Sequence, residues 1–308
     1  MRSGSDLRLE IIEHRIPTVD SRPYIVAEGP DGCVWFCENG PGKIGRLWPE
    51  NGRIVEYALH DTSAAPVGIV AGSDGAMWFT QSAAHKVGRI TMEGAITEFD
   101  LPTPKSGPNG IALGPDGNIW VAEHAIGKVA RVTPTGQVAE FDGFAAGARP
   151  LAPTATATHV WFSDSIASRV ARVDMDGHVT EFATPRPRSG PRAIVPGPDG
   201  CLWFVLAEGN SIGRVTQDGE MREFPLPTPN ASPRGIVACG DEIWFTQNQI
   251  NRLGRMSLKG EMLAEYELPT HGSGPRAIIS INDGRLYCSQ HDIGCIGEIR
   301  LASDFAAA

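Results

Sequence analysis

Three arginines occupy equivalent places in the chain, each directly after a proline: Pro191-Arg192, Pro233-Arg234 and Pro275-Arg276. A guanidinium is permanently charged and offers a planar fork of donors, so three of them brought together suit an anionic or carbonyl-rich ligand. Elsewhere the residue after the proline is Tyr24, Val67, Asn109 or Leu151. A second variable position, three residues after a recurring tryptophan or tyrosine, reads Glu38, Gln81, Glu123, Asp164, Leu206, Gln247 and Gln290, with His124 and His291 just beyond it. Glu123, His124 and His291 are the candidates for acid or base chemistry, since a histidine held by a carboxylate exchanges protons near neutral pH. The other histidines fall in turns and outer segments, where solvation is the simpler explanation.

These residues recur because the chain repeats. Aromatic pairs or their variants stand at Trp35-Phe36, Trp78-Phe79, Trp120-Val121, Trp161-Phe162, Trp203-Phe204, Trp244-Phe245 and Tyr287-Cys288, 41 to 43 residues apart. Most are preceded by a Pro-x-Gly/Ala-Ile segment and a Gly-Pro-Asp-Gly-like turn. A Lys-Ile-Gly-Arg-like segment and an Ile-Thr-Glu-Phe-like segment follow. Four short β-branched and aromatic stretches per unit, punctuated by Gly, Asp, Asn and Pro, predict four antiparallel strands, and seven such units predict a seven-bladed β-propeller. The segment Ile11–Thr18 matches the last strand of a repeat while the seventh unit stops at Ala302, so the N-terminal strand is expected to close the last blade. Residues 1–302 then form a single domain, with 303–308 a frayed tail.

In that architecture the Pro-x strand is innermost, which places both variable positions at one mouth of the central channel. Two readings compete. In one, Arg276 pairs with Glu38 and Arg192 with Asp164, neutralising a wet channel. In the other, Arg192, Arg234 and Arg276 bind a ligand together with Tyr24, Asn109 and Glu38; Arg234, with no carboxylate expected on its own or adjacent blades, favours it. The recurrent basic residues Lys43/Arg46, Lys86/Arg89, Lys128/Arg131 and Arg169/Arg172 are expected to pair across strands with glutamates such as Glu56, Glu98, Glu140 and Glu181.

Composition narrows the classes further. The net charge of -9 disfavours a nucleic-acid partner, which needs clustered basic excess. No apolar run is long enough to span a membrane and the N-terminal stretch lacks a signal-peptide core, so a cytoplasmic monomer is the expectation. The six cysteines form no Cys-x-x-Cys pair and read as reduced core thiols. There is no His-Glu-x-x-His, no P-loop and no zinc spacing, so no metal site and no cofactor is expected from the residues themselves.

The runs SGPNGIALGPDGNIWVAEH (Ser106–His124) and PLPTPNASPRGIVACGDEIWFTQNQINRLGRM (Pro225–Met256) resemble the streptogramin B lyases, or virginiamycin B lyases, over about residues 8–302. The resemblance implies a seven-bladed propeller and an antibiotic-resistance activity: elimination at the ester link of a cyclic depsipeptide, with Mg²⁺ held by two glutamates and a histidine as acid or base. The family's Pro-His-Ala-Ile is Pro233-Arg234-Gly235-Ile236 here, and its Glu-Pro-His-Gly-Ile is Gly274-Pro275-Arg276-Ala277-Ile278. Its second metal glutamate falls near Gln290 or His291. None of the four positions matches, and arginines both resist deprotonation and repel a cation, so Mg²⁺ is expected only if the family mechanism survives. The leading expectation is therefore a lyase-like propeller that binds a small ligand. An active lyase or hydrolase on a cyclic ester, using His124, His291 or Glu123, is the first alternative and a protein-interaction propeller the second.

Overall fold

The structure, a computed structural model, describes residues 8–301, all of them in strands, turns and loops. Twenty-eight strands form seven four-stranded antiparallel sheets. Blade one is Pro23–Glu28, Val34–Glu38, Lys43–Leu47 and Ile54–Ala58, and each later blade repeats this order from the axis outward. Blade seven takes its outer strand from the N-terminus: Leu9–Arg15 pairs with Cys295–Leu301, with Ile11 opposite Ile299. That is the predicted closure, and it leaves the ring without a break in blade order. The tail from Ser303, expected to fray, lies outside the described residues.

The aromatic pairs fill the space between blades. All six tryptophans of the repeat and Tyr287 are at most 1% exposed. Trp35 and Cys37 of blade one, for instance, pack with Ile69, Met77 and Phe79 of blade two. Trp35 also stacks on Tyr57 two strands out on its own blade, at 5.7 Å, and the same stack recurs from Trp78–Phe99 to Trp244–Tyr266. Turn chemistry reinforces the stack, because Asp74, Asp116 and Asp199 accept from the Nε1–H of Trp78, Trp120 and Trp203. Gly117 completes one of these turns at φ +75°, a conformation a side chain would strain.

The basic residues follow the expected pairing in part. Lys43, Lys128 and Arg169 bind Glu56, Glu140 and Glu181 at 3.4, 3.1 and 2.7 Å. Arg46 and Arg89 instead reach the turn aspartates Asp31 and Asp74, and Arg172 donates to the carbonyl of Gln217.

One irregularity repeats in every blade and positions the channel wall. Between the proline and the residue three further along each innermost strand the register slips: Pro23 faces Glu38 but Val26 faces Phe36, and Pro233 faces Gln247 but Ile236 faces Phe245. The extra residue is a β-bulge, which breaks the strand's alternation and re-aims the residue after the proline. Blades meet closely here: a Cβ on Gly110 would lie 2.2 Å from the Leu151 carbonyl oxygen of the next blade. Hydroxyls of strand two tie the bulges together. Thr246 Oγ1 accepts from the Gly235 N–H at 2.8 Å and donates to the Arg276 carbonyl at 2.7 Å, and Ser289 likewise joins Ala277 to Tyr24.

Candidate functional site

The bulge residues converge on a cavity of about 290 Å³ in the channel mouth. Tyr24, Asn109, Leu151, Arg192, Arg234 and Arg276 all line it. In blade two Gly68 forms the wall, while Val67 is buried. The wall is thus divided by blade order. Blades five, six and seven contribute the three guanidinium groups, and blades two to four contribute glycine, the Asn109 amide, the Thr154 hydroxyl and apolar side chains.

The arginines differ in how their charge is met. Arg192 donates to Glu208 at 3.0 Å, a carboxylate half exposed in the turn of its own blade. Arg276 stacks over the Tyr24 ring at 4.7 Å, a cation–π contact that supplies no counter-charge. Arg234 has no hydrogen-bond acceptor or ion-pair partner among the described residues. Burial first, then the neighbouring charges of Arg192 and Arg276, pulls its pKa down from the ordinary guanidinium value. The Nε atoms of all three are buried without a partner.

Neither ion pair expected from the sequence forms. Glu38 is fully buried within blade one, beside Glu56 and Lys43, and does not line the cavity. Asp164 accepts the backbone N–H groups of Arg149, Ile166 and Ala167 at 2.8 to 3.0 Å, which ties its carboxylate to its own turn and to the residue before Pro150. At the glutamine and glutamate positions the side chain ending strand two runs along the blade toward the strand-four glutamate, as Gln81 does to Glu98 at 3.0 Å. Glu123 follows the same course, buried and pushed up to about 8 by desolvation and then by Glu140.

The histidines separate. His124 bonds through Nδ1 to the Pro150 carbonyl at 3.1 Å, the link that Asn39 makes to Pro66 and Asn248 to Pro275. Its ring therefore serves as a clip between blades. His291 lies edge-on to Tyr24 with ring centroids 6.0 Å apart and bonds to Asp292 at 2.7 Å. Burial, opposed by Asp292 and joined by Arg276, lowers its pKa, which favours the neutral ring. It lines a second, wider cavity against the N-terminal segment Glu13–Arg22.

Two polar features escaped the sequence reading. Glu208 sits in a strand-connecting turn, where the repeats vary most. The run Gly209-Asn210-Ser211-Ile212-Gly213 has the spacing of a hydrolase nucleophile elbow, yet Ser211 opens a β-strand and its buried hydroxyl donates to Glu223. It is placed as a structural link.

A family model for the virginiamycin B lyase family matches residues 6–173 and 153–307. The chain belongs to the virginiamycin B lyase family. It is similar to a streptogramin B lyase structure at 33% identity and TM-score 0.90, covering 95% of this chain and 98% of that one. A catalytically inactive virginiamycin B lyase from Staphylococcus aureus with quinupristin is similar at 34% identity and TM-score 0.89, covering 95% and 99%. A Kuenenia stuttgartiensis hydrazine synthase, at 14% identity and TM-score 0.78, shares the fold alone. No curated protein is significantly similar to the chain.

The Mg²⁺ implied by virginiamycin B lyase membership is not matched by the residues at this mouth. Arg234 and Arg276 stand where the family pattern has histidines, and Gly274 supplies no side-chain ligand. Gln290 is buried and donates to Glu13 at 3.0 Å. A cavity wall carrying three guanidinium groups does not fit a divalent cation.

Proposed function

We propose that this propeller binds a small anionic ligand at the arginine-lined channel mouth and has lost the lyase chemistry of its family. The observation that carries the reading is Arg234, a guanidinium flanked by two others and given no acceptor by the described residues. Like charges gathered in a partly buried place cost free energy, and a bound anion is the direct compensation. The cavity is at the small end of ligand pockets, which run from roughly 300 to 1,000 Å³, so a compact ligand suits it. We take the protein as a cytoplasmic monomer working without a metal; six cysteines without a disulfide agree with a reducing compartment.

The test is thermal unfolding with phosphate, sulfate and small carboxylates against chloride at equal ionic strength. Binding to the folded state alone raises the melting temperature by mass action, about 2.7 kcal/mol at a hundredfold excess over the dissociation constant. The shift should vanish in Arg234→Ala. Unchanged melting with every anion would refute the reading.

His291, neutral and held by Asp292 beside the mouth, supports a second reading, a lyase or hydrolase acting on an ester with His291 as base. Turnover of an ester substrate that His291→Ala abolishes would favour it.

A further inference from the structure

The divided wall narrows the ligand class, and the inference rests on the anion-binding reading. We propose that the mouth takes a phosphate monoester: one terminal dianionic group held by the three arginines, on a compact apolar body lying toward Leu151.

Charge sets the first part. Glu208 offsets Arg192, and Tyr24 leaves the charge of Arg276 in place, so two positive charges remain uncompensated at the mouth. A phosphate monoester carries about -1.5 to -2 at neutral pH, whereas a sulfate ester or a single carboxylate carries one charge. Number and placement of donors set the second part. Three guanidinium groups from three adjacent blades line one cavity, and a phosphate offers three terminal oxygens to be shared among their forked donors. A dicarboxylate would divide the same charge between two separated planar groups. The far wall sets the third. Gly68, Gly110, Leu151 and Pro153 face the cavity from blades two to four with no charged side chain among them, and Asn109 is the one side-chain amide there. A ligand charged throughout would leave that wall dry against its charge, and an ion as small as free phosphate would leave it uncovered.

Isothermal titration of the full chain at pH 7.5 and fixed ionic strength, with phenyl phosphate, phenyl sulfate, phthalate and inorganic phosphate, tests each part. Phenyl phosphate should bind about tenfold or more tighter than phenyl sulfate, which has nearly its shape and half its charge, and tighter than inorganic phosphate. Equal binding of phenyl phosphate and phenyl sulfate would overturn the dianion while leaving an anion site standing. Phthalate matching phenyl phosphate would overturn the phosphate, and inorganic phosphate matching it would overturn the apolar body. If none of the four binds, the anion-binding reading itself falls. Arg234→Lys, which keeps the charge and loses the fork, should weaken phenyl phosphate several-fold while remaining folded by circular dichroism; undiminished binding would show that the arginines are not the receptor.

Discussion

Replacing Glu38 by glutamine should stabilise the protein, by an amount that grows with pH. Blades two, six and seven end strand two with a glutamine whose amide donates to a glutamate at 3.0, 2.8 and 3.0 Å: Gln81 to Glu98, Gln247 to Glu265, and Gln290 to Glu13. Blades one and three place Glu38 and Glu123 there, opposite Glu56 and Glu140. No donor reaches either carboxyl oxygen of Glu38, so the bond its glutamine counterparts make is available only if Glu38 keeps a proton to give Glu56. Burial first, then Glu56, pushes Glu38 up to about 9 from an ordinary 4.5, while Glu56 is lowered and holds the negative charge. Because the folded-state pKa is raised, this group's contribution to stability is full below about 4.5 and is lost as pH rises toward about 9. The loss runs at up to ~1.4 kcal/mol per pH unit, an upper limit of roughly 3 kcal/mol by pH 7. Glutamine needs no proton and can make the same bond to Glu56. Denaturant unfolding from pH 5 to 8.5 at constant ionic strength should show Glu38→Gln within about 1 kcal/mol of the native protein at pH 5 and more stable by roughly 2–3 kcal/mol at pH 7.5. A difference independent of pH, or a net loss at pH 8, would refute the protonated pair.

Deleting residues 1–18 removes the outer strand of blade seven and bares the edge of Cys295–Leu301; aggregation or a loss of several kcal/mol in unfolding experiments is expected, and an equally stable monomer would contradict closure through this strand. Incubation with a type B streptogramin and Mg²⁺ should give no opened product above a protein-free control; since elimination conserves mass, the isomers must be separated by chromatography before mass spectrometry, and metal-dependent turnover would show the lyase chemistry retained. Thr246→Val preserves shape but strips the hydroxyl joining Gly235 to Arg276, so a stability loss of about 1–3 kcal/mol and a smaller anion response are expected, with unchanged unfolding as the contrary result.

The fold was legible because every blade solves the same packing problem with the same residues. A tryptophan every 41 to 43 positions, a proline before the inner strand and an orphan N-terminal strand together allow few other arrangements. The arginine arc was legible for the same reason: Arg192, Arg234 and Arg276 are one position of the repeat, and the bulge acts alike in each blade. The carboxylates were misplaced because counting along strand two does not reveal which face its last side chain follows. The use of Gln or Glu at five of the seven positions (Glu38, Gln81, Glu123, Gln247 and Gln290), each with a glutamate in strand four, was the available signal that the side chain belongs to a bond within the blade. Glu208 had no such signal, since its turn has no constant residue to measure from.

The same geometry accounts for how the mouth can depart from the family while the scaffold does not. At Arg192, Arg234 and Arg276 the side chain after the proline lines the cavity, whereas the packing between blades rests on tryptophan, phenylalanine and the strand-two hydroxyls. A substitution at Arg234 or Arg276 is therefore expected to leave the strands in place. What changes is the sign of the field in the channel. A structural role would favour neutral side chains here, because three guanidinium groups with a single carboxylate partner raise the free energy of the unliganded protein. An arrangement that weakens the protein and that negative charge would relieve is the ground of the anion-binding proposal, with Arg234, flanked by two like charges, at its centre.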